Sequence, residues 1–297
     1  MKKAIVTGAY GFAGANLVRE LLDDNYMVYA VGRKKSSHNQ RFQESSELKK
    51  ICLDMSEFGK LSELVEVSEG DEVTVFHLAW GGARDDFEAQ YKNVEASLSL
   101  MEAAGKLGAR FVGIGSQAEY GVKNCIITED LLPEPFTAYG AAKIAAFYLL
   151  KRRAQQLGVH FVWGRIFSLI GKYEPEGRMI PELMANLQSD QVTNLSSCEQ
   201  YWDYLDAADA ARAIVLLGEK GRDGEAYNIA YGSYRPLRDF CIKAAEIAGK
   251  DESLLKFGNR PEPFVSLKTS IDKLKADTGF EPKISFEETI RRYYLNV

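Results

Sequence analysis

The chain has 297 residues, of which 46% are hydrophobic and 27% are charged, and its formal net charge at pH 7 is −5. This length holds one large α/β domain or two modest ones, and the composition excludes a collagen-like, low-complexity or wholly disordered chain. The mildly acidic balance predicts no nucleic-acid partner and no anionic membrane partner, and no stretch reaches the roughly 18 apolar residues of a membrane span. A small molecule is therefore the expected ligand.

The cysteines and histidines form no recognisable pattern for a metal site or a disulfide framework. No Cys-x-x-Cys is present, and no histidine stands at ligand spacing from a cysteine. The opening residues are too short and too rich in glycine for a signal peptide. We therefore expect a metal-free, cytoplasmic protein with reduced thiols. The cysteines are Cys52, Cys125, Cys198 and Cys241, and the histidines are His38, His77 and His160.

Short apolar runs alternate with longer amphipathic segments through the first half of the chain. Strands are predicted at residues 3–7, 27–31, 49–53, 73–78, 111–114 and 159–166. Apolar residues recur at helical spacing at 17–22, 61–67, 87–107 and 139–157. This alternation predicts βαβ units, and hence an α/β fold with a Rossmann-type, doubly wound parallel sheet.

Beyond residue 166 this rhythm breaks, because prolines and glycines punctuate shorter segments. We predict a nucleotide-binding domain at 1–165 and a smaller α/β substrate lobe at 166–297. A helix predicted at 207–217 lies in the second part, and residues 202–217 are expected to pack back on the first domain. The polar stretch 34–47 is predicted to be an exposed loop.

A turn of the pattern Gly-x-x-Gly-x-x-Gly lies between the first predicted strand and the first helix. Gly8 allows the tight turn, Gly11 lets the backbone approach a pyrophosphate, and Gly14 permits close helix–strand contact. The helix N-terminus adds free N–H donors and a partial positive charge. Three glycines alone can simply mark a turn. At this place they predict dinucleotide binding, with Tyr10 and Phe12 inside the phosphate-binding turn.

The end of the second predicted strand bears on the choice of cofactor. NAD-binding proteins place an Asp or Glu there, on the ribose 2′-hydroxyl, whereas this chain has Gly32-Arg33-Lys34-Lys35. Arg33 can bind a 2′-phosphate in bidentate fashion, with a lysine as a further counter-charge. NADP(H) is therefore the predicted cofactor, NAD is the alternative, and a solvated basic loop is the non-functional interpretation. Asp54, after the third strand, is placed to accept from the adenine amino group.

A phenol and an ammonium stand one helical turn apart at Tyr139 and Lys143, on one face of a predicted helix. Such a pair arises by chance in a chain with 15 tyrosines, so its surroundings carry the argument. The strand at 111–114 leads to Ser116, a hydroxyl at the carboxyl edge of the sheet, where folds of this kind bind ligands. These three side chains are the candidate catalytic residues.

Together with the glycine turn, these residues resemble the extended short-chain dehydrogenase/reductase family, in particular its nucleotide-sugar epimerases, dehydratases and 4-ketoreductases. The resemblance extends over nearly the whole chain, and its motifs stand in the family's order. The pattern is most similar to that of reductases acting on nucleotide-linked 4-keto-6-deoxyhexoses. The further motifs are Phe76-His77-Leu78-Ala79, Arg165-Ile166-Phe167-Ser168, Asp203-Tyr204-Leu205-Asp206, Tyr227-Asn228-Ile229-Ala230 and Arg260-Pro261.

The resemblance implies that Tyr139 is the general acid/base, that Lys143 lowers its pKa and bridges the nicotinamide ribose, and that Ser116 bonds to the reacting oxygen. An adjacent cation favours phenolate, so the pKa of Tyr139 is expected to move from about 10 toward neutrality. For Asn93 a helix-surface amide, and for His77 a packed strand-end residue, remain open alternatives to a functional role. The further cofactor contacts that the family implies are Leu78, Ala79, Asn93 and Tyr139 itself.

The residues after Ser116 bear on the reaction. Dehydratases of this family carry Asp-Glu there, to eliminate water, but this chain has Gln117 and Ala118, which cannot transfer a proton as a carboxyl group does. Glu119 is one position late, and in an extended segment its side chain is expected to face the other way. Exchangeable NADPH suits net reduction, so a 4-ketoreductase is preferred and an NAD(P)-dependent 4-epimerase is the alternative. A catalytically silent NADP-sensing or scaffold protein is disfavoured because all three candidate catalytic residues are present.

The second lobe is expected to bind the nucleotide diphosphate of the substrate. Arg260 corresponds to a family arginine near the pyrophosphate, and Arg178 is a second candidate, although either can also be an ordinary surface arginine. Trp80 and Trp202 depart from the family pattern, and they either shape the sugar pocket or pack in the core. The resemblance also implies a homodimer formed through 87–107 and 139–157. The predicted substrate contacts are Trp80, Ser116, Gln117, Arg178, Trp202 and Arg260.

Overall fold

A computed structural model of the chain describes residues 1–33, 38–262 and 265–295. Lys34 and Lys35, one of which was expected to neutralise a 2′-phosphate, lie outside the described residues. The strands are β1 (Lys2–Thr7), β2 (Met27–Gly32), β3 (Leu48–Cys52), β4 (Glu72–His77), β5 (Arg110–Ser116), β6 (Phe161–Ile166), β7 (Ser168–Ile170), β8 (Thr193–Asn194), β9 (Tyr201–Trp202), β10 (Tyr204–Asp206), β11 (Ala226–Ile229), β12 (Arg235–Pro236) and β13 (Leu255–Lys256). The helices are α1 (Phe12–Asp23), α2 (Leu61–Leu64), α3 (Phe87–Lys106), α4 (Ala138–Leu157), α5 (Met179–Gln188), α6 (Ala207–Lys220), α7 (Leu237–Ile247), α8 (Asp272–Thr278) and α9 (Phe286–Tyr293).

The central sheet has seven strands in the order β11-β6-β5-β4-β1-β2-β3, and every pair in it is parallel. The predicted doubly wound parallel sheet is therefore confirmed. The strand order reverses beside β1, whose neighbours are β4 and β2. Open sheets of this kind bind ligands in the crevice beyond the carboxyl ends of the strands at the reversal, so the fold places a site at the ends of β1 and β4.

Strand β11, at one edge of the central sheet, is not predicted by hydrophobic periodicity. Its four residues are too few to show an alternation of apolar and polar residues. It pairs with β6 so that Asn228 lies opposite Arg165. Residues beyond 166 thus complete the central sheet. Helix α6, from the same part of the chain, packs against α1. The division into units at residue 165 stays a prediction.

Two apolar layers cover the faces of the sheet, with α1 and α6 on one side and α3 and α4 on the other. The inner strands are buried on both faces, which explains why they are apolar almost without interruption. A third cluster, built by α5, α7 and α9, forms the core of the second lobe. Across the described ranges, no helix combines the length and apolar character needed to cross a membrane.

Candidate active site

A cavity of about 450 Å³ opens beyond the carboxyl ends of β1, β2 and β4. An adjoining cavity of about 540 Å³ shares Asp54 with it and is also lined by Asn93. The structure thus brings most of the predicted cofactor contacts to one groove, at the place where the strand order reverses. The predicted residues that line the first cavity are Gly8, Tyr10, Gly11, Arg33, Asp54, Leu78, Ala79 and Trp80.

The glycine turn has the backbone geometry that a dinucleotide phosphate requires. Gly8 has a φ of 70°, in the left-handed region. A Cβ at Gly14 would collide with the carbonyl oxygen of Gly8, so only glycine lets α1 begin this close to β1. Helix α1 begins after Gly11 and aims its free N–H groups at the groove. The cradle fits a nicotinamide dinucleotide.

Two predicted cofactor residues in the turn have structural partners of their own. Tyr10 is buried, its ring lies against Gly32, which has no Cβ to obstruct it, and burial raises the pKa of the phenol to about 12. The guanidinium of Arg178, from the second lobe, lies 5.5 Å from the ring centroid of Phe12. Arg178 therefore approaches the phosphate-binding turn, and its predicted contact with the substrate stays a prediction.

Arg33 and Asp54, the residues predicted to contact the adenosine part of the cofactor, both line the groove. Arg33 is exposed at the end of β2, and its carbonyl oxygen accepts a hydrogen bond from Asn39 Nδ2 at 3.0 Å. Asp54 Oδ1 accepts from both the backbone N and the hydroxyl of Ser56, at 3.2 and 3.1 Å. Both side chains face the groove, which fits the contacts predicted for them with the adenosine part of the cofactor.

His77 ends β4 and is buried. The structure therefore agrees with the second interpretation given for it, a packed residue at the end of a strand. Ser97 Oγ donates to the carbonyl oxygen of Asn93 at 2.7 Å, so this hydroxyl accepts from His77 Nε2 at 2.8 Å. His77 Nδ1 then accepts from Thr7 Oγ1 at 2.8 Å. Burial, assisted by the charge of Lys143, lowers the pKa of His77 to about 3. A neutral histidine thus joins the ends of β1 and β4 to α3.

Asn93 is buried on α3, and the surface-amide alternative is wrong. Its Oδ1 accepts from Gly81 N at 3.0 Å and its Nδ2 donates to the Gly81 carbonyl at 2.8 Å. The side chain therefore fixes the backbone of Gly81, in the loop that follows β4, through two hydrogen bonds. Because Gly81 lines the first cavity, Asn93 also helps to shape the cofactor groove.

Helix α4 carries Tyr139 and Lys143, and its N-terminus is fixed from two sides. Thr137 caps the helix by accepting from Gly140 N at 3.1 Å. The loop after β4 satisfies two more donors, since Ala138 N bonds to Asp85 Oδ1 at 2.9 Å and Tyr139 N bonds to the carbonyl oxygen of Arg84 at 2.8 Å. The phenol is therefore placed by the same loop that lines the cofactor groove.

The pKa expected for Tyr139 is wrong for this structure. Burial raises the pKa above its ordinary value of 10, and the charge of Glu119 adds to this effect. A hydrogen bond with Ser116 and the charges of Arg84 and Arg178 act in the opposite direction but are outweighed. Tyr139 is consequently a protonated phenol at neutral pH.

Glu119 corrects a second expectation. The segment Gln117–Glu119 is not extended but forms a 3-10 turn, which brings the carboxylate back beneath Ser116. Glu119 Oε1 accepts from Ser116 N at 2.9 Å and from Trp163 Nε1 at 3.1 Å, and Oε2 accepts from Arg165 Nε at 2.7 Å. Ser116 is therefore anchored through its own backbone by a buried ion pair.

Further hydrogen bonds connect the buried ion pair to strand β11. Arg165 Nη1 donates to the Tyr120 hydroxyl at 2.8 Å, and that hydroxyl donates to Asn228 Oδ1 at 2.6 Å. Residues 165 and 228 are register partners, so β11 completes a polar network under the active-site turn. Sequence reasoning assigned no role to Glu119, Tyr120 or Asn228.

The predicted substrate contacts are only partly brought together. Trp80 packs beside Tyr139 and Lys143, and half-buried Gln117 directly follows Ser116. Trp202 lies on β9, and its buried Nε1 has no hydrogen-bond partner among the described residues. Arg260 is exposed and pairs with Glu182 on α5 at 3.1 Å. Its predicted contact with a pyrophosphate stays a prediction.

A chain folded in this way, with a cradle for a dinucleotide phosphate after its first strand, is an NAD(P)-binding protein of the Rossmann type. Comparison with models of protein families identifies the family within this class. The chain belongs to the NAD dependent epimerase/dehydratase family, whose model matches residues 4–230. The resemblance to extended short-chain dehydrogenases and reductases is thereby confirmed.

Relatives of this chain carry out several reactions. It is 23% identical, over 343 residues covering 99% of this chain and 98% of the other, to dTDP-glucose 4,6-dehydratase of Haemophilus influenzae. It is 25% identical to GDP-6-deoxy-D-mannose reductase of Pseudomonas aeruginosa, with 70% of this chain and 73% of that protein covered. The fold is similar to that of UDP-glucuronic acid 4-epimerase from Bacillus cereus in complex with UDP-glucuronic acid and NAD, with a TM-score of 0.84, 24% identity and 98% of both chains covered. Similarity alone selects none of the three reactions.

The buried ion pair yields a stability prediction. We expect Glu119→Gln to lower the free energy of unfolding by about 3–5 kcal/mol, because it leaves the Arg165 guanidinium buried without a counter-charge. The double variant Glu119→Gln, Arg165→Met should lose less, since it buries no unpaired charge and keeps an amide oxygen to accept from Ser116 N. Equilibrium unfolding in urea measures all of these values.

Glu88→Gln is the matched control, because it removes one carboxylate from the exposed ion pair with Lys92. That change should cost no more than about 0.5 kcal/mol. A Glu119→Gln variant as stable as the Glu88→Gln control would contradict the assigned anchoring of Ser116.

Proposed function

We propose that the chain catalyses the NADPH-dependent reduction of the C4 keto group of a nucleotide-linked 4-keto-6-deoxyhexose, in deoxysugar synthesis for surface polysaccharide. The observation that carries the proposal is the chemistry of the three residues after Ser116. Gln117 and Ala118 have no carboxyl group, and the carboxylate of Glu119 is held by Arg165 away from solvent. Elimination of water needs an acid and a base here, and neither is free.

Tyr139 is the proton donor in the proposed reduction. Its raised pKa keeps the phenol protonated, so it can donate a proton to a carbonyl oxygen that gains charge. Ser116 orients that carbonyl and stabilises the developing oxyanion. Lys143 lies one helical turn away and in its charged form stabilises the phenolate that proton donation leaves on Tyr139. When bound, the nicotinamide dinucleotide supplies the hydride.

The alternative proposal is a nucleotide-sugar 4-epimerase. It has support from the fold, which is similar to that of a 4-epimerase. The family resemblance also gives Ser116, Tyr139 and Lys143 a part in that reaction. An epimerase returns to the sugar the hydride that it takes, which favours a permanently held NAD, whereas Gly32-Arg33 favours exchangeable NADPH. The reductase is therefore preferred.

We further propose that the protein is a homodimer formed through α3 and α4. Large apolar side chains on these helices stand in solvent in the single chain, with Phe87 exposed by 77%, Tyr91 by 65% and Tyr148 by 58%. Packing against the same helices of a second copy would remove this surface from water.

Arg33 is expected to select NADPH. Arg33→Ser should weaken NADPH binding about 10-fold or more, because a charge-assisted contact with the 2′-phosphate is lost, and should leave NADH binding nearly unchanged. Isothermal titration calorimetry with each cofactor measures the dissociation constants. Arg291→Ser, an exposed arginine on α9, is the control. Equal losses for NADPH and NADH, or a wild-type preference for NADH, would contradict the assignment.

The reaction is tested by following absorbance of the reduced nicotinamide with a panel of nucleotide-linked 4-keto-6-deoxyhexoses. We expect oxidation of NADPH faster than of NADH, with one member of the panel. Tyr139→Phe should lower kcat about 100-fold or more while cofactor affinity is kept, since only the transferable proton is removed. No oxidation of either cofactor, or appearance of a C4 epimer without net oxidation, would overturn the reductase proposal.

A further inference from the structure

The ammonium of Lys143 is enclosed by aromatic rings. It is only 4% exposed, and its Nζ lies 3.6 Å from the ring centroid of Trp80 and 5.9 Å from those of Tyr139 and Trp163. Nζ donates one hydrogen bond, to the carbonyl oxygen of Ile114 at 2.6 Å. An ammonium has three N–H donors, so the ring faces contribute to stabilising the part of its charge that this hydrogen bond leaves uncompensated.

Trp80 is the nearest of the rings and is held firmly in place. Its Nε1 donates to Gln90 Oε1 at 2.8 Å, and Gln90 Nε2 donates to the Ala83 carbonyl at 2.8 Å. Its ring meets that of Tyr139 edge to face, with 6.3 Å between centroids and 87° between planes. One indole, from the loop after β4, therefore contacts both members of the Tyr–Lys pair.

We propose that Trp80 is a positioning residue of the proton-transfer site, whose indole face holds Lys143 in its charged form beside Tyr139. The indole does this without offering a hydrogen-bond acceptor, so the N–H groups of Lys143 stay available for other oxygen acceptors. The proposal rests on the role assigned to Lys143 in the proposed function. Simple packing is the competing explanation, and any large apolar side chain would serve for it.

The charge of Lys143 is balanced between opposing effects from the surrounding elements. Burial lowers the pKa of Lys143 to about 7, and the negative charge of Glu119, from the turn after β5, opposes this. His77 on β4 is neutral, and Arg165 on β6 is paired with Glu119. Because burial opposes the charged form, the cation–π contact with Trp80 at 3.6 Å raises the fraction of Lys143 that is charged.

The test replaces Trp80, by nonsense suppression, with a series of tryptophans carrying one to four ring fluorines. Fluorine weakens the negative face of the ring but nearly keeps its size and its N–H, so hydration of the site changes little. Lysine labelled with ¹³C at Cε reports protonation by NMR, and the Lys143→Arg variant identifies the resonance. Neither cofactor nor substrate is needed, so failure of the proposed reaction would leave this result interpretable.

We expect the titration midpoint of Lys143 to fall stepwise with fluorine number, by about one pH unit across the series. In active enzyme the alkaline limb of the kcat profile should move to lower pH in parallel. The same fluorinated series at Trp202 is the control and should leave the Lys143 midpoint in place. A midpoint that does not respond to fluorination at Trp80 would overturn the proposal and leave packing as the role of the indole.

Discussion

The carboxylate of Glu119 is the interaction on which the active site most depends. It accepts hydrogen bonds from the backbone of Ser116, from the indole of Trp163 and from the guanidinium of Arg165, all without access to water. Burying an ion pair is costly unless both ions are fully hydrogen-bonded, so the turn after β5 has little freedom to move. The same negative charge favours the ammonium of Lys143. One buried carboxylate thus anchors the backbone of Ser116 and favours the charged form of Lys143.

Those parts of the site that depend on local sequence could be predicted. Gly8 and Gly14 have no steric alternative in a strand–turn–helix crossing, and the i, i+4 spacing of Tyr139 and Lys143 needs only that α4 be a helix. Six strands of the central sheet could be predicted in the same way, because each is a short apolar run that is visible in the local sequence. Short β11 and the packing of distant side chains, by contrast, leave no periodic signal.

Glu119 was missed because its direction was argued from an extended backbone, whereas Ser116 caps a 3-10 turn that reverses the chain. A signal did exist in the sequence. Gly113 lies opposite Trp163, and Gly115 lies opposite Arg165, in adjacent parallel strands. A Cβ at either glycine would strike the Trp163 ring. Glycines in a buried strand can indicate that large side chains occupy the space beside them. Here the Trp163 ring lies against both glycines, and the Glu119 carboxylate also lies against Gly115.

The central claim is that the site donates a proton from Tyr139 as a hydride reaches a sugar C4, and isotope transfer tests it most directly. The protein should be incubated with NADPH carrying deuterium at the transferable position and with the accepted 4-keto sugar, and the product examined by NMR and mass spectrometry. The account predicts one deuterium at C4 of the sugar for each NADPH oxidised. A sugar inverted at C4 that carries no deuterium from the added cofactor would contradict it.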